Sequence, residues 1–318
     1  MINTLQKTRA RDYFSLVKFS HTVFAMPFAM IGYFLGITFV RIQALSATGP
    51  DLRERFSNVH LLTLFLLVLL CMVFARSAAM GFNRWLDKHF DRLNPRTAIR
   101  EIPAGIISAN HALLFVVLNC LAFIVCTFFI NRICFYLSFV ALAVILGYSY
   151  TKRFTPLCHL ILGIGLSLAP IGSFLAVTGT FNLLPILFSV AVIFWVSGFD
   201  IIYALQDREF DLSQKLQSIP AMLGIKASMR VSEVLHVLSS LCVISAGIYG
   251  HFGWLYWVGI AVFTGALIYQ HTLVKSDDLS RVNIEFMTAN GIASVIFAIF
   301  VITDLLINKF HPLHSIIS

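Results

Sequence analysis

Charged residues are scarce in this chain: Asp, Glu, Lys and Arg make up only 12% of its 318 residues, about half the share that is usual in soluble domains. That composition excludes a soluble globule, a disordered chain and a coiled coil. The six Cys residues are scattered and form no CxxC pair. This favours small buried hydrophobic side chains over a disulfide framework or a zinc site. The first apolar run lacks a small-residue cleavage site, so we interpret it as a membrane span.

Apolar residues, by contrast, make up 58% of the chain, which is enough for roughly nine membrane-spanning helices of about 20 residues each. No linker or low-complexity stretch divides the sequence. We therefore predict an all-α, polytopic membrane protein with one domain over residues 1–318. The nine apolar segments are about 22–40, 60–82, 111–130, 133–150, 157–178, 183–204, 231–250, 254–274 and 284–307.

The formal net charge of +8 could suggest a nucleic-acid partner, but the basic residues lie between apolar runs. That distribution is typical of topology signals that face anionic lipid headgroups. An N-terminus inside the cell places 17 Lys and Arg residues inside and five outside. The excess predicts a cytoplasmic N-terminus and an external C-terminus. A bacterial inner membrane is the expected location.

Two connections, about 83–110 and 205–230, are long and charged, and both are cytoplasmic in this topology. Their similar places in the chain hint at a weak internal duplication. Around the start of each connection, aspartates and a few other polar residues recur at helical spacing. The members of each set therefore share one face of a helix, within about 80°. The first set is Arg76, Asn83, Asp87 and Asp91, and the second is Asp200, Tyr203, Asp207 and Asp211.

Aspartates near a membrane are costly, since Asp at the centre of a span is unfavourable by roughly 2.5–3.5 kcal/mol. If both acidic faces border one cavity, five carboxylates converge and need cations. Hard oxygen ligands of this kind suit Mg²⁺ together with phosphate oxygens of a substrate. The implied ligand is a phosphorylated molecule whose tail lies in lipid. The alternative is that the aspartates pair with neighbouring Lys and Arg on a solvated helix end; Asp200, within an apolar run, is hardest to explain in that way.

Basic residues on the same predicted side could neutralise a diphosphate. Lys152 and Arg153, after the fourth span, are either such ligands or a positive-inside anchor. Arg96 and Arg100 could do likewise or order the loop that contains them. Arg76 lies within a span and needs a partner, either Asn83 or a bound anion.

At these residues the chain resembles the UbiA family of intramembrane aromatic prenyltransferases. Asn83-x-x-x-Asp87-x-x-x-Asp91 is similar to the first Asp-rich motif of that family, and Asp200-x-x-Tyr203-Ala-x-x-Asp207-x-x-x-Asp211 is similar to the second. Arg96-Thr-Ala-x-Arg100-x-x-Pro103-x-Gly105 resembles its loop, and Tyr148-x-x-x-Lys152-Arg153 its basic segment. The resemblance covers almost the whole chain in span count and motif order.

The resemblance implies nine transmembrane helices around a central cavity, capped by the two Asp-rich segments. It implies that two Mg²⁺ ions bind a polyprenyl diphosphate and that an aromatic ring attacks the allylic cation formed from it. The implied metal set is Asn83, Asp87, Asp91, Asp200, Asp207 and Asp211. The implied diphosphate ligands are Arg84, Arg96, Arg100, Lys152 and Arg153. The implied product is a precursor of ubiquinone or menaquinone.

The stretch that would bind the aromatic acceptor, at the start of the first span, departs from the family pattern. Members that act on 4-hydroxybenzoate commonly have Arg-x-Asp-Lys-Pro at the start of the first span, where this chain has Lys18-Phe-Ser20-His21-Thr22. A dihydroxynaphthoate acceptor, as in a menaquinone-linked branch, is therefore an alternative to 4-hydroxybenzoate. His21 could equally be an interfacial residue with no role. The candidate acceptor-binding residues are Lys18, His21, Arg76, Tyr148 and Tyr203.

Two other functions fit parts of the pattern. A secondary transporter would bind protons or cations at intramembrane carboxylates, but it favours broken helices near mid-membrane, whereas these carboxylates cluster at one face. A CDP-alcohol phosphotransferase also uses membrane aspartates and a metal. Its Asp-Gly-x-x-Ala-Arg motif is absent, because Met72-Val73 precede Phe74-Ala75-Arg76.

Overall fold

The computed structural model describes residues 10–17, 26–46, 58–275, 278–279 and 282–308, and most of these are helical. Three short helices are α1 (Ala10–Leu16), α4 (Lys88–Leu93) and α9 (Arg208–Ser213). Nine helices within the described ranges have 20 residues or more: α2 (Met26–Ser46), α3 (Asn58–Leu86), α5 (Ala109–Ile130), α6 (Arg132–Thr151), α7 (Cys158–Thr178), α8 (Leu183–Ala204), α10 (Ile219–Tyr249), α11 (Trp254–Leu273) and α12 (Val282–Ile307).

The predicted all-α membrane fold is confirmed. Eight of these long helices, all except α11, are long and apolar enough to cross a membrane within the described part of the chain. α11 contains Gln270 and His271 near its end, and these lower its mean hydropathy. Most helix ends lie within a few residues of the predicted segments. The largest difference is α10, which begins at Ile219 and not near 231.

The long helices form a ring in which each packs against the next one in the chain and α12 packs back on α2, while the most extensive contact of α2 is with α7. Short connections favour such contacts between neighbours. One side of the ring is filled by aromatic side chains that are completely buried: Phe28, Phe188, Trp195, Tyr256, Phe263 and Phe297. Outward-facing leucines on α3, such as Leu62 and Leu66, are more than half exposed, as expected for helices that face lipid.

We call the two charged connections, 83–110 and 205–230, the first and the second acidic segment. Each of them contains a helix break at an aspartate. α3 ends at Leu86, and Asp87 (φ −90°, ψ 8°) precedes α4. α8 passes into a 3₁₀ turn, Leu205–Asp207, and Asp207 (φ −97°, ψ 1°) precedes α9. These angles belong to the sparsely populated bridge region. The prediction that each acidic face lies on one uninterrupted helix was therefore wrong, and the same break occurs in both segments.

The segment 205–230 is also more helical than expected of a connection, since it contains α9 and the start of α10. Ser218 caps α10 by accepting a hydrogen bond from the Ala221 amide. α10 is bent at Gly224 (φ 76°, ψ 174°), a conformation that residues with a Cβ rarely adopt. The segment therefore folds back over the end of the bundle at which α3 and α8 finish.

Candidate active site

A cavity of about 570 Å³ lies between α3, α5, α6, α7 and α8. Most of its walls are apolar, with contributions from Met72, Phe123, Leu137 and Leu168. Asn83, Arg84, Arg100, Asp200 and Tyr203 line the end beside the acidic segments, because four of them lie in the last turns of α3 and α8. The predicted cavity is present, but five of the nine long helices line it, so it lies to one side of the bundle.

Asp207, in the second acidic segment, accepts hydrogen bonds from two residues of the first acidic segment. Asn94 Nδ2 donates to Asp207 Oδ1 at 3.1 Å, and Arg96 Nε donates to the same oxygen at 2.9 Å. Arg96 Nη2 donates to Asp207 Oδ2, which makes the ion pair bidentate. Arg96 Nη1 also donates to Tyr203 Oη at 3.0 Å. The two acidic segments therefore meet at one place, although these partners are 111 residues apart in the chain.

Burial and ion pairing act in opposite directions on the pKa of Arg96. Removal from water favours the neutral guanidine, but the hydrogen bond and charge of Asp207 outweigh it and raise the pKa of Arg96. Arg96 therefore keeps its positive charge although its side chain is only 29% exposed.

Lys152 and Arg153, directly after α6, bind one carboxylate from each acidic segment. Lys152 Nζ lies 2.7 Å from Asp211 Oδ1, and Arg153 Nη2 donates to Asp87 Oδ1 at 3.1 Å. Asn83 Nδ2 donates to the other oxygen of Asp87 at 3.1 Å. Burial raises the pKa of Asp87 despite the nearby Arg153. Burial alone would lower the pKa of Lys152, but the contact with Asp211 outweighs it and raises that pKa.

The remaining contacts join the acidic segments to the cavity wall. Arg100 Nη1 donates to Asp91 Oδ1 at 2.6 Å. Asp91 is only 6% exposed, and its other oxygen, Oδ2, has no hydrogen-bond partner. Arg84, which is 4% exposed, likewise has no partner at Nε. A buried acceptor and a buried donor are thus left unsatisfied beside the polar end of the cavity, where a ligand could bind both.

Asp200 lies deeper, on the cavity wall, and its partner is His159 on α7. His159 Nδ1 lies 2.7 Å from Asp200 Oδ2. α7 and α8 approach closely here because Gly163 has no side chain: a Cβ would lie 2.6 Å from the Ile193 carbonyl oxygen. Sequence reasoning missed His159. The available signal was that a histidine and an aspartate in adjacent apolar runs both need a polar partner.

Of the candidate acceptor-binding residues, Arg76, Tyr148 and Tyr203 line the cavity. Arg76 Nε is buried and has no hydrogen-bond partner. Lys18 and His21 lie outside the described residues. Three of the five candidates are thus brought together at the cavity wall.

In the described residues, no group of three or more His, Cys, Asp and Glu side chains is arranged to hold a metal ion. The five aspartates each contact a basic side chain instead: Asp87 with Arg153, Asp91 with Arg100, Asp200 with His159, Asp207 with Arg96 and Asp211 with Lys152. These pairs are partly or fully buried, and four of the five join parts of the chain that are far apart in sequence; Asp91 and Arg100 are the exception. Those four are therefore not the solvated pairs within one helix end that the sequence allowed as an alternative. The metal-binding roles of the six predicted residues stay predictions.

Comparison with known proteins gives consistent matches. The UbiA prenyltransferase family matches residues 52–292. A 4-hydroxybenzoate octaprenyltransferase from Francisella tularensis subsp. mediasiatica is 31% identical over 234 residues, which cover 73% of this chain and 81% of the relative.

Solved structures match as well. A UbiA homolog from Aeropyrum pernix K1, in its apo form, has a TM-score of 0.75 and 30% identity, over 89% of this chain and 98% of that one. A UbiA homolog from Archaeoglobus fulgidus bound to DMAPP and Mg²⁺ has a TM-score of 0.67 and 18% identity, over 93% of this chain and 99% of that one. At that identity the second match shows a shared fold.

Proposed function

Because this chain belongs to the UbiA prenyltransferase family and is a membrane prenyltransferase, we propose that it moves a polyprenyl group from a polyprenyl diphosphate to an aromatic acid in quinone biosynthesis. Membership of this family decides against the two alternatives, a secondary transporter and a CDP-alcohol phosphotransferase. The single observation that carries the proposal is that the acidic and basic side chains of both segments meet at the polar end of an apolar cavity.

The chemistry of the donor set fits Mg²⁺. Five aspartates and Asn83 supply oxygen ligands at one end of the cavity, and the unpartnered Oδ2 of Asp91 is available to a cation. When bound, Mg²⁺ neutralises charge on the diphosphate and stabilises it as a leaving group. We assign Asn83, Asp87, Asp91, Asp200, Asp207 and Asp211 to the metal set.

Basic residues around the same end would hold the donor diphosphate. Four of these residues lie within 3.1 Å of an aspartate oxygen: Arg96, Arg100, Lys152 and Arg153. A short side-chain movement would transfer each contact from the carboxylate to a diphosphate oxygen. Arg84 adds an unpartnered Nε at the cavity wall. The planar guanidinium groups can bind phosphate oxygens in a bidentate manner. The proposed diphosphate ligands are Arg84, Arg96, Arg100, Lys152 and Arg153.

The aromatic acceptor would lie beside Arg76, Tyr148 and Tyr203. Arg76 is a half-buried cation within α3 whose buried Nε has no partner, and the carboxylate of an aromatic acid would satisfy it. Both 4-hydroxybenzoate and a dihydroxynaphthoate carry that carboxylate. Similarity to 4-hydroxybenzoate octaprenyltransferases supports the benzoate, and the altered stretch at Lys18 and His21 supports the naphthoate.

The reaction breaks the bond between the allylic carbon and the diphosphate oxygen, and the electron pair leaves with the diphosphate. The aromatic ring then supplies two electrons to form the new carbon–carbon bond and releases a proton. The apolar walls keep water from the allylic cation, and aromatic side chains such as Phe123 can stabilise it through their ring faces.

The protein is an integral membrane protein, and the distribution of basic residues supports its orientation. We propose that the N-terminus and both acidic segments face the cytoplasm, that the C-terminus lies outside, and that the membrane is a bacterial inner membrane.

A direct assay tests the proposal. Membranes containing the protein would be supplied with Mg²⁺, octaprenyl diphosphate and either 4-hydroxybenzoate or 1,4-dihydroxy-2-naphthoate, and the products identified by mass spectrometry. We expect a prenylated product with one acid and none when Mg²⁺ is removed with a chelator. Uptake of either substrate into proteoliposomes without any prenylated product would contradict the proposal.

A further inference from the structure

Gly172, in the middle of α7, has open space beside it. No heavy atom lies within 4 Å of the position that a Cβ would occupy, and Gly172 lines the cavity. Several other helix glycines have a packing reason: a Cβ on Gly32 would lie 2.0 Å from the Pro170 carbonyl oxygen. Gly147 on α6 and Gly265 on α11 have no such neighbour, but Gly147 and Gly265 are not among the residues that line the cavity. Because glycine destabilises a helix interior relative to alanine and no neighbour requires it here, packing does not explain Gly172.

Gly172 belongs to a smooth strip on the cavity side of α7. Gly165, Ala169, Gly172 and Ala176 all line the cavity, and their spacing places them on one face of the helix. The walls contributed by α3, α5 and α6 carry larger side chains, including Met72, Phe123 and Leu137. Leu166 and Leu168 of α7 also line the cavity, on either side of this strip. Along the strip itself the cavity keeps its width because the four residues are small.

The strip starts near the polar end and runs away from it. His159, which contacts Asp200, precedes Gly172 by 13 residues on α7, which corresponds to about 20 Å along the helix. At the polar end, Arg84 is 4% exposed, lines the same cavity and has an unpartnered Nε. An anionic head group bound there fixes one end of a ligand and leaves its tail to run along the strip.

We propose that Gly172 determines how long a prenyl tail the cavity accepts, which rests on the prenyl transfer proposed above. A donor with a short tail ends before Gly172, and a donor with a tail longer than about 20 Å must pass it. A larger side chain at this position enters the open space and obstructs the long tails only. Gly172 is thus a specificity-determining position, outside the groups that carry out the reaction.

The test compares donors of two lengths, geranyl and octaprenyl diphosphate, with the full-length protein in membranes. For Gly172→Leu we expect kcat/KM with the octaprenyl donor to fall by about tenfold or more, while that with the geranyl donor stays within about twofold. Gly172→Ala should lie between Gly172→Leu and wild type. The matched control is Gly265→Leu on α11, a lipid-facing glycine whose Cβ would also have no neighbour within 4 Å; it should behave as wild type with both donors.

Each other outcome has a distinct meaning. Equal loss with both donors in Gly172→Leu and in Gly172→Ala overturns the proposal, because the position then affects the site as a whole. Unchanged use of the octaprenyl donor by Gly172→Leu also overturns it, because the tail then leaves the cavity before reaching this point, for example past the exposed lining residues Val140 and Phe181. Wild-type protein that transfers neither donor refutes the prenyl-transfer function itself.

Discussion

Lys152 and Arg153 are neighbours in the chain, yet they bind carboxylates from different acidic segments: Lys152 binds Asp211 and Arg153 binds Asp87. The end of α6 thereby fixes the separation between the two segments. The backbone contributes as well, since the Gln217 amide donates to the Lys152 carbonyl oxygen at 2.7 Å. Loss of either side chain is expected to move one segment relative to the other and to remove a diphosphate ligand.

The first prediction concerns the acidic residues themselves. Asp87→Asn and Asp207→Asn should each lower kcat/KM by about 100-fold, because a neutral amide oxygen binds Mg²⁺ more weakly than a carboxylate does, and both variants should need more Mg²⁺ for the half-maximal rate. The measurement is prenyl transfer in membranes across a Mg²⁺ titration.

Glu209→Gln is the matched control for this pair. Glu209 lies in the second acidic segment, but its side chain is 86% exposed and it pairs with its neighbour Arg208. Its activity should equal that of wild type. Full activity in both aspartate variants would refute the metal assignment.

The second prediction concerns the hydrogen bonds that the Arg96 guanidinium donates to Asp207 and Tyr203. Arg96→Lys should raise KM for the donor by about tenfold and should recover little more than Arg96→Met, because an ammonium cannot make the bidentate contact and reach the Tyr203 hydroxyl as well. Steady-state kinetics with varied donor would measure it. Arg92→Met, at an exposed position of α4, is the control. If Arg96→Lys has wild-type kinetics, the bidentate geometry is unimportant.

The third prediction concerns His159 as a positioning residue for Asp200. His159→Ala should lower kcat by about tenfold with little change in KM for either substrate, because Asp200 loses the contact that fixes its side chain. His159→Gln can still donate a hydrogen bond and should recover part of the rate. His111→Ala, at an exposed position on α5, serves as the control.

A merely structural role for His159 would give a different pattern. Both His159 variants would then lose thermal stability in proportion to their lost activity, with no rescue by glutamine. Melting temperatures of the purified protein in detergent, measured beside the kinetics, distinguish the two cases.

The fourth prediction concerns Arg76, whose Nε has no partner. Arg76→Met should raise KM for the aromatic acid by about 10- to 100-fold, since a hydrogen bond to a charged group contributes roughly 1.5–3 kcal/mol, and should leave KM for the donor unchanged. Kinetics with each substrate varied in turn would measure both values. A rise in KM for the donor alone would place Arg76 at the diphosphate.

The long helices could be predicted because a helix that spans a membrane needs an apolar run of about 20 residues, which is visible in the sequence. The helix breaks at Asp87 and Asp207 could not, since an i, i+4 spacing of aspartates is compatible with a continuous helix and the backbone bends only where the tertiary contacts of each segment require it. The contact between Arg96 and Asp207 could not be predicted either, because local periodicity contains no information about partners 111 residues apart. The position of the cavity likewise depends on side-chain volumes in several helices, including the glycines of α7.

The bond between Arg96 and Asp207 also bears on how the protein is made. The first acidic segment is synthesised well before α8, so Arg96 has no access to its partner Asp207 during the early part of biogenesis. A chain whose translation stops short of Asp207 keeps the five basic residues at this end of the cavity but lacks two of the five aspartates, Asp207 and Asp211. We therefore expect truncated products, which lack Asp207 and Asp211, to be inactive in prenyl transfer.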